Sequence, residues 1–462
     1  MQKETLQENK MGVMPVGKLL VNMALPMIIS MLVQALYNIV DSMFVAKLSE
    51  NALTAVSLAF PVQNLMIAVG TGTGVGINAL VSRALGEKKN EYANSAVNNG
   101  IYLAIFSFIG FAIVCGFFAP AFFSVQTDDP QILAYGVDYV RVIGIMSFGL
   151  FIQLCAEKLL QSTGKTIYSM ATQLIGAVIN IILDPIMIFG LFGFPRMEVT
   201  GAALATVTGQ IIAAVIGVIM NIKLNKELHI SLVKYKLNGE VIRHIYSVGF
   251  PSIIMASVGS VMTFGMNKIL MGFTSTATAV FGVYFKLQSF IFMPVFGLNN
   301  GMVPIIAYNY GAGSRERVVK TMKSSVRYAV GIMLVGLLIM ELFPGTLIGF
   351  FNATDELLVI GVPALRTICL SFCFAGYCIV VGSVFQALGN GVYSMIVSIA
   401  RQLCVLLPVA YLLSLSGNVN LIWWAFPIAE LVSVGMTTFF LKRINRNIIS
   451  HIGETLQETE MD

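Results

Sequence analysis

Of the 23 acidic residues in this 462-residue chain, Asp41, Glu157, Asp184, Glu341 and Glu430 fall inside runs apolar enough to cross a membrane. An ionised carboxylate at the centre of a bilayer costs about 2.5 to 3.5 kcal/mol on insertion scales, so each needs a partner or a task. Glu341, three residues before Pro344, reads as interfacial. Depth sorts the others. Counted at about 1.5 Å per residue from the outer ends of the predicted helices, Asp41 lies roughly 6 Å deep, Tyr139 roughly 9, Asp184 about 10, Thr206 about 12 and Asn180 about 17 Å.

These polar groups share one layer in the first half of the chain. Asn180 and Asp184 are four residues apart and so share a helix face, as do Tyr37 and Asp41. Pro185 carries no N–H, which frees the carbonyl of Ile181 beside that face. Two carboxylates, an amide, a hydroxyl and a freed carbonyl make an all-oxygen cation site, with Na⁺ held at Asp41, Asn180 and Asp184. They equally make a proton store, because two carboxylates close together in a low dielectric favour sharing one proton. The bland reading is that these groups merely satisfy one another.

Other polar groups divide by position. Glu157 lies near the inner end of the fourth predicted helix, where it either lines a central cleft with Gln34 and Asn38 and attracts cationic substrates, or pairs locally with Lys158 or Lys165. Arg401 and Glu430 fall within about 5 Å of the same depth on neighbouring helices and suit a structural salt bridge. The string STGKT (162–166) resembles a phosphate-binding loop, but that motif requires glycine where Leu159 stands and a preceding strand. In the run GTGTGVG (70–76), Gly72 and Gly76 have the spacing of a close helix contact. The six cysteines sit in apolar runs without a C-x-x-C pair and read as buried, reduced thiols, and the histidines lie apart from any ligand cluster. No cofactor or resident metal is expected beyond a coupling ion, and no hydrolase or protease motif argues for an enzyme.

The elements that must position these groups are membrane helices. With 57% hydrophobic and 11% charged residues, the chain lacks the polar surface of a soluble globule. The expected spans are 18–45, 53–80, 93–120, 133–160, 165–191, 198–222, 243–272, 277–306, 316–343, 357–385, 392–415 and 420–442, an all-α integral membrane protein of twelve transmembrane helices. The first apolar run, from Leu19, is too long for a signal-peptide core and is expected to stay in the mature protein. With the N-terminus inside, the inner segments, from Lys3 to Arg446, hold nineteen basic residues, and the outer loops hold Lys47 and Arg196. That asymmetry places both termini in the cytoplasm and argues for a bilayer rather than nucleic acid as the partner of the basic residues.

The two halves repeat at a constant offset of 225 residues. Pro26 matches Pro251, Gln63 matches Gln288, Gly72 and Gly76 match Gly297 and Gly301, Arg141 matches Arg366, and Gly164 matches Gly389. The expected organisation is a first lobe over 1–222, a cytoplasmic connector over 223–242, a second lobe over 243–442 and a cytoplasmic tail over 443–462. Six helices per repeat make the repeats parallel, with substrate between them, and a monomer suffices. The offset carries Asp41, Asn180 and Asp184 onto Met266, Val405 and Val409, so the ion layer belongs to the first lobe alone.

The stretch LPMIISMLVQALYNIVD (25–41), the glycine-rich second helix running into SRALGEKK (82–89), the YVR of the fourth helix and the NIILDP of the fifth resemble the MATE family of the MOP flippase superfamily, in its bacterial DinF/MepA-like branch. The resemblance implies two pseudo-symmetric six-helix lobes and ion-coupled antiport, by H⁺ or Na⁺, of organic cations, drugs and other amphipathic compounds across the cytoplasmic membrane. It also implies that Asp41, Asn180 and Asp184, with Tyr37, Tyr139 and Thr206, carry the ion coupling. The alternative within the superfamily is a flippase for lipid-linked precursors, which calls for a cationic cavity rather than buried acids.

Overall fold

The computed structural model describes residues 9–351 and 354–453, so Lys3 and the end of the tail lie outside the described residues. The long helices are α1 (Val16–Leu48), α2 (Glu50–Gly86), α3 (Asn90–Ser124), α4 (Pro130–Ile145), α5 (Phe148–Ser162), α6 (Thr166–Phe189), α7 (Glu198–Leu224), α8 (Gly239–Met271), α9 (Ser275–Gly311), α10 (Arg315–Leu342), α11 (Asp355–Cys369), α12 (Phe372–Ala387), α13 (Gly391–Ser414) and α14 (Ala425–Asn447). No strand occurs among the described residues. In hydrocarbon only helices and closed barrels satisfy every backbone group internally, and this chain takes the first solution.

Among the described residues, ten helices are long and apolar enough to cross a membrane, and twelve spans result when each bent pair counts as one. The bent pairs are α4 with α5, at 46°, and α11 with α12, at 49°. The predicted single helix 133–160 is therefore broken near Met146. Close packing accompanies the break: a side chain at Gly144 would run into Cys115, and one at Gly149 would come within 2.9 Å of the backbone nitrogen of Ile211. In α13 the helix widens into a π-helical stretch over Ala400–Leu406, just before Pro408. The regular predicted helix misses this local change.

The repeat is visible bond by bond. Ser49 and Thr274, 225 apart, cap α2 and α9 by accepting from Ala52 N and Ala277 N, each at 3.0 Å. Such caps are worth about 1 kcal/mol. Asp129 and Thr354 likewise cap α4 and α11. Arg141 Nε donates to Gly116 O and Arg366 Nε to Glu341 O, both at 3.3 Å, so the matched arginines do the same tethering work. The STGKT string is a helix stop. Gly164, at φ +82°, donates its N–H to Gln161 O and Lys165 N donates to Leu160 O, a left-handed C-terminal cap. Gly389 repeats it at φ +81°.

The described residues pack into two compact units, one over Ile29–Ile253 and the other comprising the described residues up to Ile28 together with those from Ile254 on. The first helix of each repeat is thus divided, α1 after Ile28 and α8 after Ile253, each two residues past its proline. Glycines explain the attachments. Within the first-named unit, Gly72 and Gly76 of α2 lie against the backbone of α8 at Gly249 and Ile253 and at Ile245, so close that a methyl group would overlap it. Within the other, Gly297 and Gly301 of α9 lie in the same way against Met27 and Ile28 and against Met23 and Ala24 of α1. The expected small-residue contact is present in both copies.

The six cysteines are free thiols, four of them buried, but Cys404 is exposed and Cys373 partly so, which departs from the uniformly buried set expected. Both lie in apolar helices, and in a membrane protein apolar surface is also exposed to lipid.

Candidate functional site

The layer expected from the sequence assembles inside the unit Ile29–Ile253. Asp41 and Tyr37 come from α1, Tyr139 from α4, Asn180 and Asp184 from α6, and Thr206 from α7. Helix α6 packs extensively along α7, and this brings Asn180 and Thr206 together: the Asn180 amide nitrogen donates to Thr206 Oγ1 over 3.2 Å and approaches Asp184 Oδ1 at 3.4 Å. Asn180, Asp184, Tyr139 and Thr206 are buried. The Asp41 and Asp184 carboxyls come within hydrogen-bonding reach of each other, and Tyr37 and Tyr139 stand close enough to both to feel their charge.

The oxygens are unequally satisfied. Asp41 Oδ1, Asn180 Oδ1 and Asp184 Oδ2 are buried without a hydrogen-bond donor. Two facing carboxylates have no proton to offer one another, so only a proton or a metal cation between them turns the approach into an attraction. An acceptor-only oxygen set fits a hard monovalent cation and fits a shared proton equally.

Two neighbours of the layer escaped the sequence reading. Gln63 of α2 reaches Tyr139 by a side-chain hydrogen bond, and its match to Gln288 in the repeat was the available signal. Gln173 of α6 donates to Gln34 Oε1 at 3.1 Å and meets the Ser30 hydroxyl. Gln34 thus joins a polar contact between α1 and α6, one to two turns along α1 from Asp41, whereas the Asn38 side chain is exposed.

Glu157 lies apart from the layer. It is buried on α5 and accepts from Gln153 Nε2 at 2.8 Å. Lys158 reaches Gln161 at 3.0 Å and also feels the Glu157 charge, and Lys165 turns instead to Asn225 at 3.1 Å and Glu227 at 4.0 Å. In the other unit Arg401 and Glu430 form the expected salt bridge.

Many apolar spans, a twofold sequence repeat and one buried carboxylate layer define a multi-pass membrane protein of the transporter class. The chain belongs to the MatE family, whose sequence profile matches residues 26–186 and 251–412. It is 27% identical to the multidrug export protein MepA of Staphylococcus haemolyticus over 93% of this chain and 94% of that protein. It is 24% identical to a FAD transporter of Shewanella oneidensis over 96% and 98% of the two chains. The solved structure of an outward-facing multidrug resistance MATE family transporter of the MOP superfamily superposes with a TM-score of 0.90 at 23% identity, covering 98% of this chain and all of that one. The all-α membrane fold expected from the sequence is the fold observed.

Proposed function

We propose that this chain is an ion-coupled exporter, moving small amphipathic or cationic compounds across the cytoplasmic membrane in exchange for H⁺ or Na⁺. The observation that carries the reading is the carboxyl pair of half-buried Asp41 and buried Asp184, where Asp41 Oδ1, Asp184 Oδ2 and the neighbouring Asn180 Oδ1 are buried without a donor. A cation on these oxygens favours one access state and the exported compound favours the other, so each drives release of its competitor. The family membership and the multidrug-export relatives support the substrate class.

The deciding experiment uses proteoliposomes holding the full chain, energised by a pH gradient alone and then by a sodium gradient alone. The cargo panel contains an organic cation and, because one relative is a FAD transporter, FAD. Cation efflux under either gradient, abolished by Asp41→Asn or Asp184→Asn with folded yield retained, is the expected result. Full gradient-driven transport in the Asp41→Asn protein would place coupling elsewhere. Export of FAD in preference to the cation would overturn the substrate class.

A further inference from the structure

The segment between α7 and α8 has no helix, yet its backbone is held along α3 by a row of buried asparagines. Asn94 Oδ1 accepts from His229 N at 2.8 Å. Asn98 reads the backbone from both sides, donating to His229 O at 2.9 Å and accepting from Ser231 N at 2.8 Å. Asn99 accepts from Asn238 N at 2.9 Å and donates to Lys236 O at 3.4 Å. Between these points the chain turns, with Tyr235 N donating to Ser231 O at 3.1 Å, and the Tyr235 hydroxyl returns to Glu91 at 2.9 Å. The connector is therefore a hairpin that climbs α3 and comes back.

Its tip reaches further along α3 than its base. Tyr102 donates to Leu232 O at 2.7 Å, and Tyr102 stands twelve residues after the first residue of α3, about 18 Å along the axis. The apolar run of α3 covers residues 101–123, about 34 Å at the helical rise, against a hydrocarbon core about 30 Å thick. Tyr102 thus marks the edge of the core. Phe106, Ile109, Ile113 and Phe117, which follow it at four, seven, eleven and fifteen residues on the same face, are exposed and form an apolar stripe suited to lipid. Beside this edge the hairpin presents Val233, 91% exposed, with Leu232 and Leu237 also exposed. Residues 223–243 carry Lys223, Lys226, Lys234, Lys236 and Arg243 against Glu227 and Glu240. Only Lys234 of these cations contacts Glu91, at 3.2 Å on the surface.

We propose that the connector is a membrane-dipping hairpin, with Leu232 and Val233 entering the acyl edge of the leaflet on its own side and Lys226, Lys234 and Lys236 holding anionic headgroups there. Exposed apolar residues flanked by lysines, at the depth where the lipid-facing stripe of α3 begins, suit this boundary and no aqueous partner. The asparagine row fixes the hairpin in place, so insertion orders no further backbone.

The test is spin-label accessibility at position 233. Val233→Cys is labelled in a Cys373→Ser/Cys404→Ser background, which leaves the buried thiols inert, and the full chain is placed in vesicles of phosphatidylcholine with phosphatidylglycerol. Phe106→Cys serves as the lipid reference and Glu240→Cys as the aqueous one. The expected ratio of oxygen to nickel-chelate collisions at 233 is several-fold above that at 240 and below that at 106, and it falls when Lys226→Gln/Lys236→Gln is added or phosphatidylglycerol is omitted. A ratio at 233 equal to that at 240 would overturn insertion. Insertion indifferent to both the lysines and the lipid charge would overturn the anionic headgroup as partner.

Discussion

Asn180 stands one helical turn before Asp184, and its single amide nitrogen is divided between the Asp184 carboxylate and the Thr206 hydroxyl on the next helix. The amide sets the orientation of the carboxylate that faces Asp41. Thr206→Val keeps the volume and removes the acceptor, freeing the amide and loosening its aim. The loss of one such bond costs about 1 kcal/mol. The apparent affinity for the coupling ion, read from efflux against ion concentration, should weaken about fivefold while folded yield is unchanged.

Glu157 is buried with one neutral hydrogen-bond partner, Gln153, and lies away from the carboxylate layer. Glu157→Gln keeps that shape and deletes a charge. The KM for a cationic compound should rise, by roughly three- to tenfold for 1 kcal/mol or so of lost field. The KM for a neutral compound and the dependence on the coupling ion should stay as they are. Equal effects on both compounds would assign Glu157 to packing.

Glu87, in the loop after α2, is held by Lys89 and Arg83, each at 2.8 Å. Burial alone raises its carboxyl, but the bonds to Lys89 and Arg83 outweigh it, and the group sits below the usual glutamate value. A lowered folded value means that the stabilisation is fully present above the unfolded value, near 4.3, and disappears as the pH falls through the folded one. The pair is partly exposed, so the effect is about 1 kcal/mol or less. Thermal unfolding of wild type and Glu87→Gln in detergent should differ at pH 7 and converge as the pH falls through the lowered folded value. A gap independent of pH would show that the charge is irrelevant.

Arg401 and Glu430 pair inside the second-half helices, with the Glu430 side chain 9% exposed. Removing either partner strands the other in a low dielectric, at about 3 to 5 kcal/mol. Arg401→Met or Glu430→Leu alone should lower the unfolding temperature markedly, and the double substitution should recover most of the loss. Additive losses in the double variant would mean that the two side chains contribute separately.

Gly76 and Gly301 occupy matched positions where a methyl group would overlap the backbone of Ile245 and of Ala24 respectively. Gly282 has open space around it. Gly76→Ala and Gly301→Ala should each cut the yield of folded protein severalfold in fluorescence-detected size exclusion, whereas Gly282→Ala should not, because a close-packed helix interface cannot absorb even one methyl at backbone distance.

The sequence by itself determined the spans, because the cost of burying unsatisfied backbone and charge in lipid leaves a hydropathy trace that no packing detail can hide. It also determined the repeat, since Gly72 with Gly297 and Arg141 with Arg366 hold one register. The carboxylate layer was legible for the same reason: Asp41 and Asp184 are too costly inside a span to be accidental, and helical rise alone puts them at one depth. Tertiary structure alone decided what depended on neighbours. The bend after Ile145, the division of α1 after Ile28 and the placing of Gln173 against Ser30 and Gln34 rest on side chains from other helices. The asparagines of NSAVNN (94–99) carry no periodic signal that distinguishes a solvated helix face from one that binds a returning connector. Their amides acquire a meaning only when the backbone of 229–238 is laid beside them, because a hydrogen bond is a relation between two groups and the sequence holds one at a time.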